Sequence, residues 1–171
     1  MRSEASYESC KLLAEAVLNE ARIKRVKISC AESCTGGLVG AALTEIAGSS
    51  DVFNGSAVTY SNEAKHKILG VNEGTLRNFG AVSEECACEM ASGALRIYDA
   101  DFAVSITGIA GPDGGSELKP VGTVWFGLAS SEKTFAVMKN FSGNRGEVRA
   151  QAVRFALSEL LRSINNGKIL S

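Results

Sequence analysis

The chain has 171 residues, and 45% of them are hydrophobic, which suits the buried core of one globular domain and argues against intrinsic disorder. Its formal net charge of −1 gives no general attraction to nucleic acid or to an anionic membrane surface. No apolar run approaches the roughly 20 residues of a membrane span, and residues 1–10 are polar. We therefore expect a cytoplasmic protein that binds neither nucleic acid nor membrane.

Five cysteines are present, an odd number without the spacing of a disulfide framework. In a reducing compartment they should be free thiols. The sequence contains no C-x-x-C pair, and its single histidine is His66. Because structural zinc sites are built from cysteine and histidine, we expect no metal site, and nothing in the sequence calls for another cofactor.

The first half of the chain alternates helices and strands. Apolar periodicity and β-branched runs predict a helix over 9–23, a strand over 26–31, a helix over 38–47, a strand over 52–60 and a helix over 62–69. Ser61 is a plausible N-cap for the last of these helices, which ends at Gly70.

The second half adds a further helix and strand, a hairpin and a final helix. The patterns predict a helix over 84–98 capped by Ser83, a strand over 101–108, two antiparallel strands over 121–130 and 133–141, and a helix over 144–164. Strands that alternate with helices indicate a three-layer α/β/α sandwich with a mixed, mostly parallel sheet. We expect residues 1–171 to form a single domain.

A turn of small polar residues, AESCTGG over 31–37, joins the first predicted strand to a helix. A helix start presents unpaired N–H groups and the positive end of the helix dipole, where open α/β sheets commonly bind anions. Ser33 or Thr35 could simply cap this helix, with Gly36 and Gly37 allowing close packing. The turn could instead present Ser33 as a nucleophile beside backbone donors, and the pattern alone leaves both interpretations open.

A nucleophilic serine needs a group that takes its proton. His66 lies between Lys65 and Lys67, a pattern typical of a solvated helix face. Lys65 is the better candidate base, because it follows the end of a strand and lies in the first turns of a helix, where the dipole lowers the pKa of a cation. Cys34 is the rival nucleophile, since a thiol at a helix N-terminus can be reactive, or it is a small buried apolar side chain.

A long glycine-rich loop over 108–120 follows the strand that ends near Thr107. Such loops either close over ligands or turn corners. Thirteen residues is long for a corner, so we interpret the loop as one wall of a ligand site. Thr107 would then offer a hydroxyl to the substrate. Gly108 has no side chain and would leave the neighbouring backbone accessible to the substrate.

Three long blocks carry a family resemblance: AESCTGGLVGAALTEIAGSSDVFNGSAVTYSNEAKHKILGV, then GAVSEE, then SITGIAGPDGGSELKPVGTVWFGLA. In this order they resemble the competence/damage-inducible CinA C-terminal family, over roughly residues 31–154. The chain resembles the stand-alone members, because it has no room for the N-terminal cofactor-related domain of the larger architecture.

The resemblance implies an activity and a mechanism. Stand-alone members resemble nicotinamide-nucleotide amidase, which hydrolyses the carboxamide of nicotinamide mononucleotide to nicotinate mononucleotide and ammonia. The implied serine–lysine mechanism assigns Ser33 as nucleophile and Lys65 as base, and Tyr60 would assist as proton relay or by holding the lysine. Backbone N–H groups around Thr35, Gly36 and Gly37 would hold the developing oxyanion. No metal or organic cofactor is required.

Arg145 is the expected phosphate ligand. Asn144 and Glu147 have the spacing of a capping box, so the start of the last helix is specified without Arg145. An arginine placed against the helix dipole either points into water or shares an anion with the helix. A phosphomonoester suits the second case, because a guanidinium binds two of its oxygens at once.

Two other functions compete with the serine amidase. One is a cysteine-dependent amidase that uses Cys34. The other is a non-catalytic nucleotide-binding or regulatory module, which would keep the glycine-rich loops but would not need a lysine of lowered pKa. In each case the partner is a small-molecule nucleotide, and the resemblance adds the expectation of a homodimer.

Overall fold

The structure is a computed structural model that describes residues 2–169, with the side chains of residues 9–169. Within this range, no helix is both long and apolar enough to cross a membrane. The helices are α1 (Arg2–Lys24), α2 (Leu38–Thr44), α3 (Asn62–Leu69), α4 (Glu73–Asn78), α5 (Glu84–Ile97) and α6 (Arg145–Asn166), with a short 3₁₀ turn at Ser49–Asp51. The strands are β1 (Ile28–Glu32), β2 (Phe53–Val58), β3 (Phe102–Gly108), β4 (Thr123–Ser130) and β5 (Thr134–Asn140).

The five strands form one mixed sheet in the order β2-β1-β3-β4-β5. β1 pairs in parallel with β2 and β3, whereas β4 is antiparallel to both β3 and β5. β4 alone therefore runs against the other strands of this sheet. The predicted α/β fold with a mixed, mostly parallel sheet is confirmed.

Two apolar clusters lie on opposite faces of the sheet. The larger one joins α1, α2 and α6 to the sheet through residues such as Leu18, Val39 and Leu157. The smaller one includes Met90 and Ala94 of α5 together with small side chains of the strands. The sheet is thus covered on both faces, as the alternation of helices and strands predicts.

Helix α5 packs unusually close to the sheet. A side chain at Gly127 of β4 would meet the carbonyl oxygen of Ala87, and the same carbonyl accepts a hydrogen bond of 2.6 Å from the buried hydroxyl of Ser105. Small side chains on this face let the helix approach the strands and bring its first turn to the edge where the parallel strands end.

The ends of β2, β1 and β3 lie side by side at one edge. The Thr59 amide donates to the Glu32 carbonyl, and the Ser33 amide donates to the Ile106 carbonyl, so the ladder continues one residue past β1. Thr59, Ser33 and Thr107 therefore form a row across three neighbouring strand ends. Alternation along the strands directs these residues to the face covered by α5, like Ala31 and Ala57 before them.

The predicted elements differ from the structure mainly at short or terminal segments. The first strand begins at Ile28 and not at residue 26, because the Val26 amide donates to the Ala21 carbonyl and closes the end of α1. Arg25 makes this possible by adopting a left-handed conformation with φ of 57°. The short helix α4 was missing from the prediction, since six residues that include a glycine carry little periodicity.

Candidate active site

The turn after β1 is organised by a buried carboxylate that the sequence interpretation did not assign. Glu32 is fully buried, and its side chain accepts five hydrogen bonds. One oxygen accepts from the Thr35 hydroxyl at 2.7 Å and from the amides of Gly37 and Val39. The other accepts from the Gly40 amide at 2.9 Å and from the Ser56 hydroxyl at 2.8 Å.

This carboxylate accepts from the first amides of α2, so the side chain of Ser33 is not needed as the helix cap. The N-cap of α2 is Gly37, which has no side chain to donate or accept. Gly36 and Gly37 have φ of 61° and 98°, a left-handed conformation that favours glycine and lets the chain turn tightly from strand to helix. Ser33 and Thr35 therefore do not cap the helix, and the hydroxyl of Ser33 is available to another partner.

That partner is Lys65. Its Nζ lies 2.9 Å from the Ser33 Oγ, 2.8 Å from the Thr59 carbonyl oxygen and 3.3 Å from the Tyr60 carbonyl oxygen. Ser61 caps α3 by accepting from the Ala64 amide, so the helix start fixes where the lysine leaves the backbone. The structure thus brings together the two residues that the resemblance assigned as nucleophile and base.

Burial makes the charged form of Lys65 less favourable than it is in water. The side chain is 1% exposed, and this burial lowers the pKa of Lys65 below its usual 10.5, while the nearby thiols of Cys86 and Cys34 oppose the shift. The carbonyls of Thr59 and Tyr60 can accept from the amine in either of its protonation states. A lowered pKa makes an amine a better general base near neutral pH.

The thiol of Cys34 has the opposite character. Cys34 is 5% exposed, and burial is the main cause that raises its pKa to about 11. The thiolate of Cys34, which is the nucleophilic form, is therefore disfavoured next to Ser33.

All five cysteines are free thiols, and within residues 9–169 no cluster of histidine, cysteine and acidic residues could hold a metal ion.

Tyr60 and Arg145 meet at the rim of the site. The ring of Tyr60 is largely exposed, and its hydroxyl accepts a hydrogen bond of 3.1 Å from Arg145 Nη2. Arg145 Nη1 donates to the Gly111 carbonyl at 2.8 Å. The contact of Tyr60 with Lys65 is made by its backbone carbonyl and not by its hydroxyl.

The long loop after β3 is tied to the rest of the site at several points. Thr107 is buried, and its hydroxyl donates to the Ala81 carbonyl at 2.7 Å. Gly108 packs so tightly on β4 that a Cβ there would lie 2.7 Å from the Thr123 carbonyl oxygen. Lys119 fastens the far end of the loop by donating to the carbonyls of Phe79 and Val82. A ligand could reach Thr107 only through the remaining acceptor capacity of its hydroxyl.

A second arginine of α6 holds the turn itself. Arg149 Nε donates to the Cys34 carbonyl at 3.1 Å, and Nη2 donates to the Thr35 carbonyl at 3.0 Å. The sequence interpretation missed this residue. Its spacing of four residues from Arg145 places both arginines on one face of the first turns of α6, a signal that could have indicated it.

The amides of the turn divide into engaged and available groups. The Gly36 amide donates to the Ser33 carbonyl at 3.0 Å, and the Gly37 amide donates to Glu32. For the Thr35 amide no acceptor is found among the described residues, and the Cys34 amide contacts only the thiol of its own residue. The Cys34 carbonyl and the Thr35 N–H belong to the same trans peptide, so they point in opposite directions. Because Arg149 donates to the Cys34 carbonyl, the Thr35 N–H points to the side of the turn away from Arg149.

A groove of about 930 Å³ lies between α1, α2 and the first turns of α6. It adjoins the turn through Leu38 and reaches Asn144 next to Arg145. Ser33 and Lys65 are not among its lining residues. Ser33 and Lys65 therefore lie outside this groove.

Comparison with known proteins identifies the family. Residues 11–164 match the CinA C-terminal domain. The chain belongs to the CinA C-terminal domain family. Nicotinamide-nucleotide amidohydrolase PncC of Enterobacter agglomerans is 57% identical over 136 residues, 79% of this chain and 83% of that protein. The PncC protein of Escherichia coli K12 is 52% identical over 149 residues, 86% of this chain and 90% of that protein.

The fold of this CinA-family chain also matches a solved structure. The crystal structure of the CinA superfamily protein from Klebsiella pneumoniae 700603 has a TM-score of 0.88 at 38% identity. The match covers 92% of this chain and 98% of the Klebsiella chain. The family resemblance inferred from the sequence blocks is confirmed.

Proposed function

We propose that the protein hydrolyses the carboxamide of nicotinamide mononucleotide to nicotinate mononucleotide and ammonia, with Ser33 as nucleophile and Lys65 as general base. The names of the two amidohydrolase relatives, at 57% and 52% identity, support the substrate. The observation that carries the mechanism is the 2.9 Å contact between the Lys65 amine and the Ser33 hydroxyl in a buried setting.

The hydrogen bonds of Lys65 set the direction of proton transfer. A neutral amine has two N–H donors and one lone pair. The carbonyls of Thr59 and Tyr60 can only accept, so they take the two N–H groups. When Lys65 is neutral, its lone pair is directed at Ser33, whose hydroxyl can then donate to it. This arrangement prepares the serine for deprotonation before any substrate is bound.

The oxyanion is best served by the two amides that the fold leaves available. The Cys34 and Thr35 N–H groups directly follow the nucleophile, and a donor in that position can stabilise a tetrahedral intermediate. Gly36 and Gly37, which the sequence also suggested, already donate to Ser33 and Glu32. Their contribution is to the shape of the turn.

The reaction proceeds in two balanced steps. Lys65 takes the Ser33 proton as Oγ attacks the carboxamide carbon, and the lysine returns the proton to the nitrogen, which leaves as ammonia. A water molecule then gives a proton to Lys65 and attacks the acyl carbon, and the proton returns to the departing Ser33 Oγ. The enzyme ends unchanged, and the net reaction consumes one water.

Substrate recognition is assigned to the rim. The guanidinium of Arg145 is exposed, contacts only the neutral acceptors Gly111 and Tyr60, and forms no ion pair within the described part of the chain. It can therefore turn toward the phosphate of a mononucleotide. Tyr60 would position Arg145 and Lys65, and Thr107 would accept a hydrogen bond from the substrate. A homodimer stays a prediction from the resemblance.

Ammonia release from nicotinamide mononucleotide by the purified protein tests this function. Nicotinamide adenine dinucleotide and free nicotinamide are the comparison substrates. We expect turnover of the mononucleotide and little or none of free nicotinamide, which lacks the phosphate. Binding of the mononucleotide without ammonia release would instead identify a non-catalytic nucleotide-binding module.

A further inference from the structure

One hydroxyl next to the base has no assigned task. Thr59 is completely buried, and its Oγ1 has no hydrogen-bond partner among the described residues. Its backbone is fully engaged, since the amide donates to the Glu32 carbonyl and the carbonyl accepts from Lys65. Burial of a hydroxyl without a partner is unfavourable, and a valine of nearly the same shape would avoid it.

The position of Thr59 distinguishes it from an incidental defect of packing. Its register places it directly beside Ser33 on the neighbouring strand end, where adjacent backbones lie about 4.8 Å apart. Both residues face α5, and Lys65 Nζ contacts the hydroxyl of one and the carbonyl of the other. The unpartnered hydroxyl is therefore a near neighbour of both the nucleophile and the base.

Ser29 provides an internal comparison. Its hydroxyl is also fully buried without a partner, and it lies on the same face of β1, four residues before Ser33. At roughly 3.3 Å per residue, the separation is about 13 Å, too far for a role in the chemistry. An unpartnered hydroxyl alone therefore does not indicate a function, and the inference depends on the placement of Thr59.

We propose that the Thr59 hydroxyl binds the water that hydrolyses the acyl-enzyme. This inference rests on the proposed serine mechanism. Once Ser33 is acylated, its oxygen has no proton to donate, and the Lys65 lone pair needs a new donor. A water held by Thr59 beside Lys65 can supply that proton while its oxygen attacks the acyl carbon. The proton then passes from Lys65 to the departing Ser33 oxygen.

The proposal predicts which step fails when the hydroxyl is removed. Thr59→Val should leave attack by Ser33 and loss of ammonia nearly intact, because neither step needs the water. It should lower the steady-state kcat about 10- to 100-fold, the cost of a misplaced reactant. Ammonia should then appear as a rapid burst of about one equivalent per enzyme, followed by slow turnover, with Ser33 acylated in the intact-mass spectrum.

Two variants separate catalysis from packing. Thr59→Ser keeps the hydroxyl and should keep the parental kcat without a burst. Ser29→Ala removes the other buried hydroxyl that has no partner. Both Ser29→Ala and Thr59→Val should raise the melting temperature, but Ser29→Ala should leave kcat unchanged. Hydroxylamine, a small nucleophile, should accelerate the slow phase of Thr59→Val by intercepting the acyl-enzyme. If Thr59→Val folds poorly, Thr59→Ala is the replacement.

Rapid-quench measurement of ammonia from nicotinamide mononucleotide decides the matter. A burst with Thr59→Val that is absent from the parent and from Thr59→Ser is the expected result. An unchanged kcat, or a slower first turnover without a burst, would overturn the role of Thr59. If Ser33→Ala still released ammonia at the parental rate, the serine mechanism itself would fail, so the two failures are distinguishable.

Discussion

The carboxylate of Glu32 should be essential to the turn that presents Ser33, and Glu32→Gln tests this. The substitution keeps the size of the side chain but replaces one carboxylate oxygen by an amide NH₂. All five groups that contact Glu32 are hydrogen-bond donors, three amides and two hydroxyls. A hydroxyl can rotate to accept from the new NH₂, but a backbone amide cannot.

The expected loss follows from these contacts. If the glutamine oxygen takes the position that serves Thr35, Gly37 and Val39, its NH₂ faces the buried Gly40 amide. An unsatisfied buried amide costs about 1–3 kcal/mol. Loss of the negative charge at the start of α2 adds about 0.5–2 kcal/mol. We expect a total loss of about 1.5–5 kcal/mol in the free energy of unfolding.

Equilibrium denaturation with urea measures this loss, and Glu45→Gln is the matched control. Glu45 ends the same helix but is exposed, so its substitution should change the free energy of unfolding by less than about 0.5 kcal/mol. Glu32→Gln should also reduce amidase activity in the fraction that stays folded. A loss below about 1 kcal/mol for Glu32→Gln would refute the capping role.

Three further predictions concern the chemistry and the substrate. Cys34→Ala should keep the parental kcat within about threefold, because a thiol with a pKa of about 11 is only about 3 × 10⁻⁴ thiolate at pH 7.5; a loss larger than a hundredfold would favour a cysteine amidase. The value of kcat/KM should rise with pH and reach a plateau, because only the neutral amine of Lys65 acts as base. The midpoint of the rise should lie below 10.5, since burial lowers the pKa of Lys65. A value of kcat/KM that falls with pH through this range would contradict the role of Lys65. Arg145→Ala should raise KM for nicotinamide mononucleotide about 10- to 150-fold, the equivalent of 1.5–3 kcal/mol for a charged hydrogen bond, and leave activity on the phosphate-free riboside nearly unchanged; equal losses on both substrates would remove Arg145 from phosphate binding.

Most of the fold could be predicted from local patterns. The alternation of apolar runs located all five strands, and Ser61, Ser83 and Asn144 were identified as helix starts because each is a short polar residue just before a helical pattern. The order of the strands in the sheet could not be deduced in this way. It depends on contacts between residues distant in sequence, such as the pairing of Ile28 with Phe102.

The candidate site was predictable only in part, for a similar reason. Ser33 and Lys65 followed from the family resemblance and from their positions after strand ends. Glu32 was overlooked because a glutamate at the end of a buried strand has no local pattern, and its purpose is clear only when α2 folds back onto it. The four-residue spacing of Arg145 and Arg149 indicates a shared helix face, but it does not show that Arg149 meets carbonyls more than a hundred residues earlier in the chain.

The most direct test of the serine–lysine mechanism is the steady-state rate of ammonia release from nicotinamide mononucleotide by Ser33→Ala. The parent and Cys34→Ala are measured in parallel, and thermal unfolding establishes that each variant is folded. The mechanism predicts that Ser33→Ala loses ammonia release by at least about a thousandfold while its melting temperature stays close to that of the parent. A folded Ser33→Ala that retains the parental rate would contradict the assignment of Ser33 as the nucleophile.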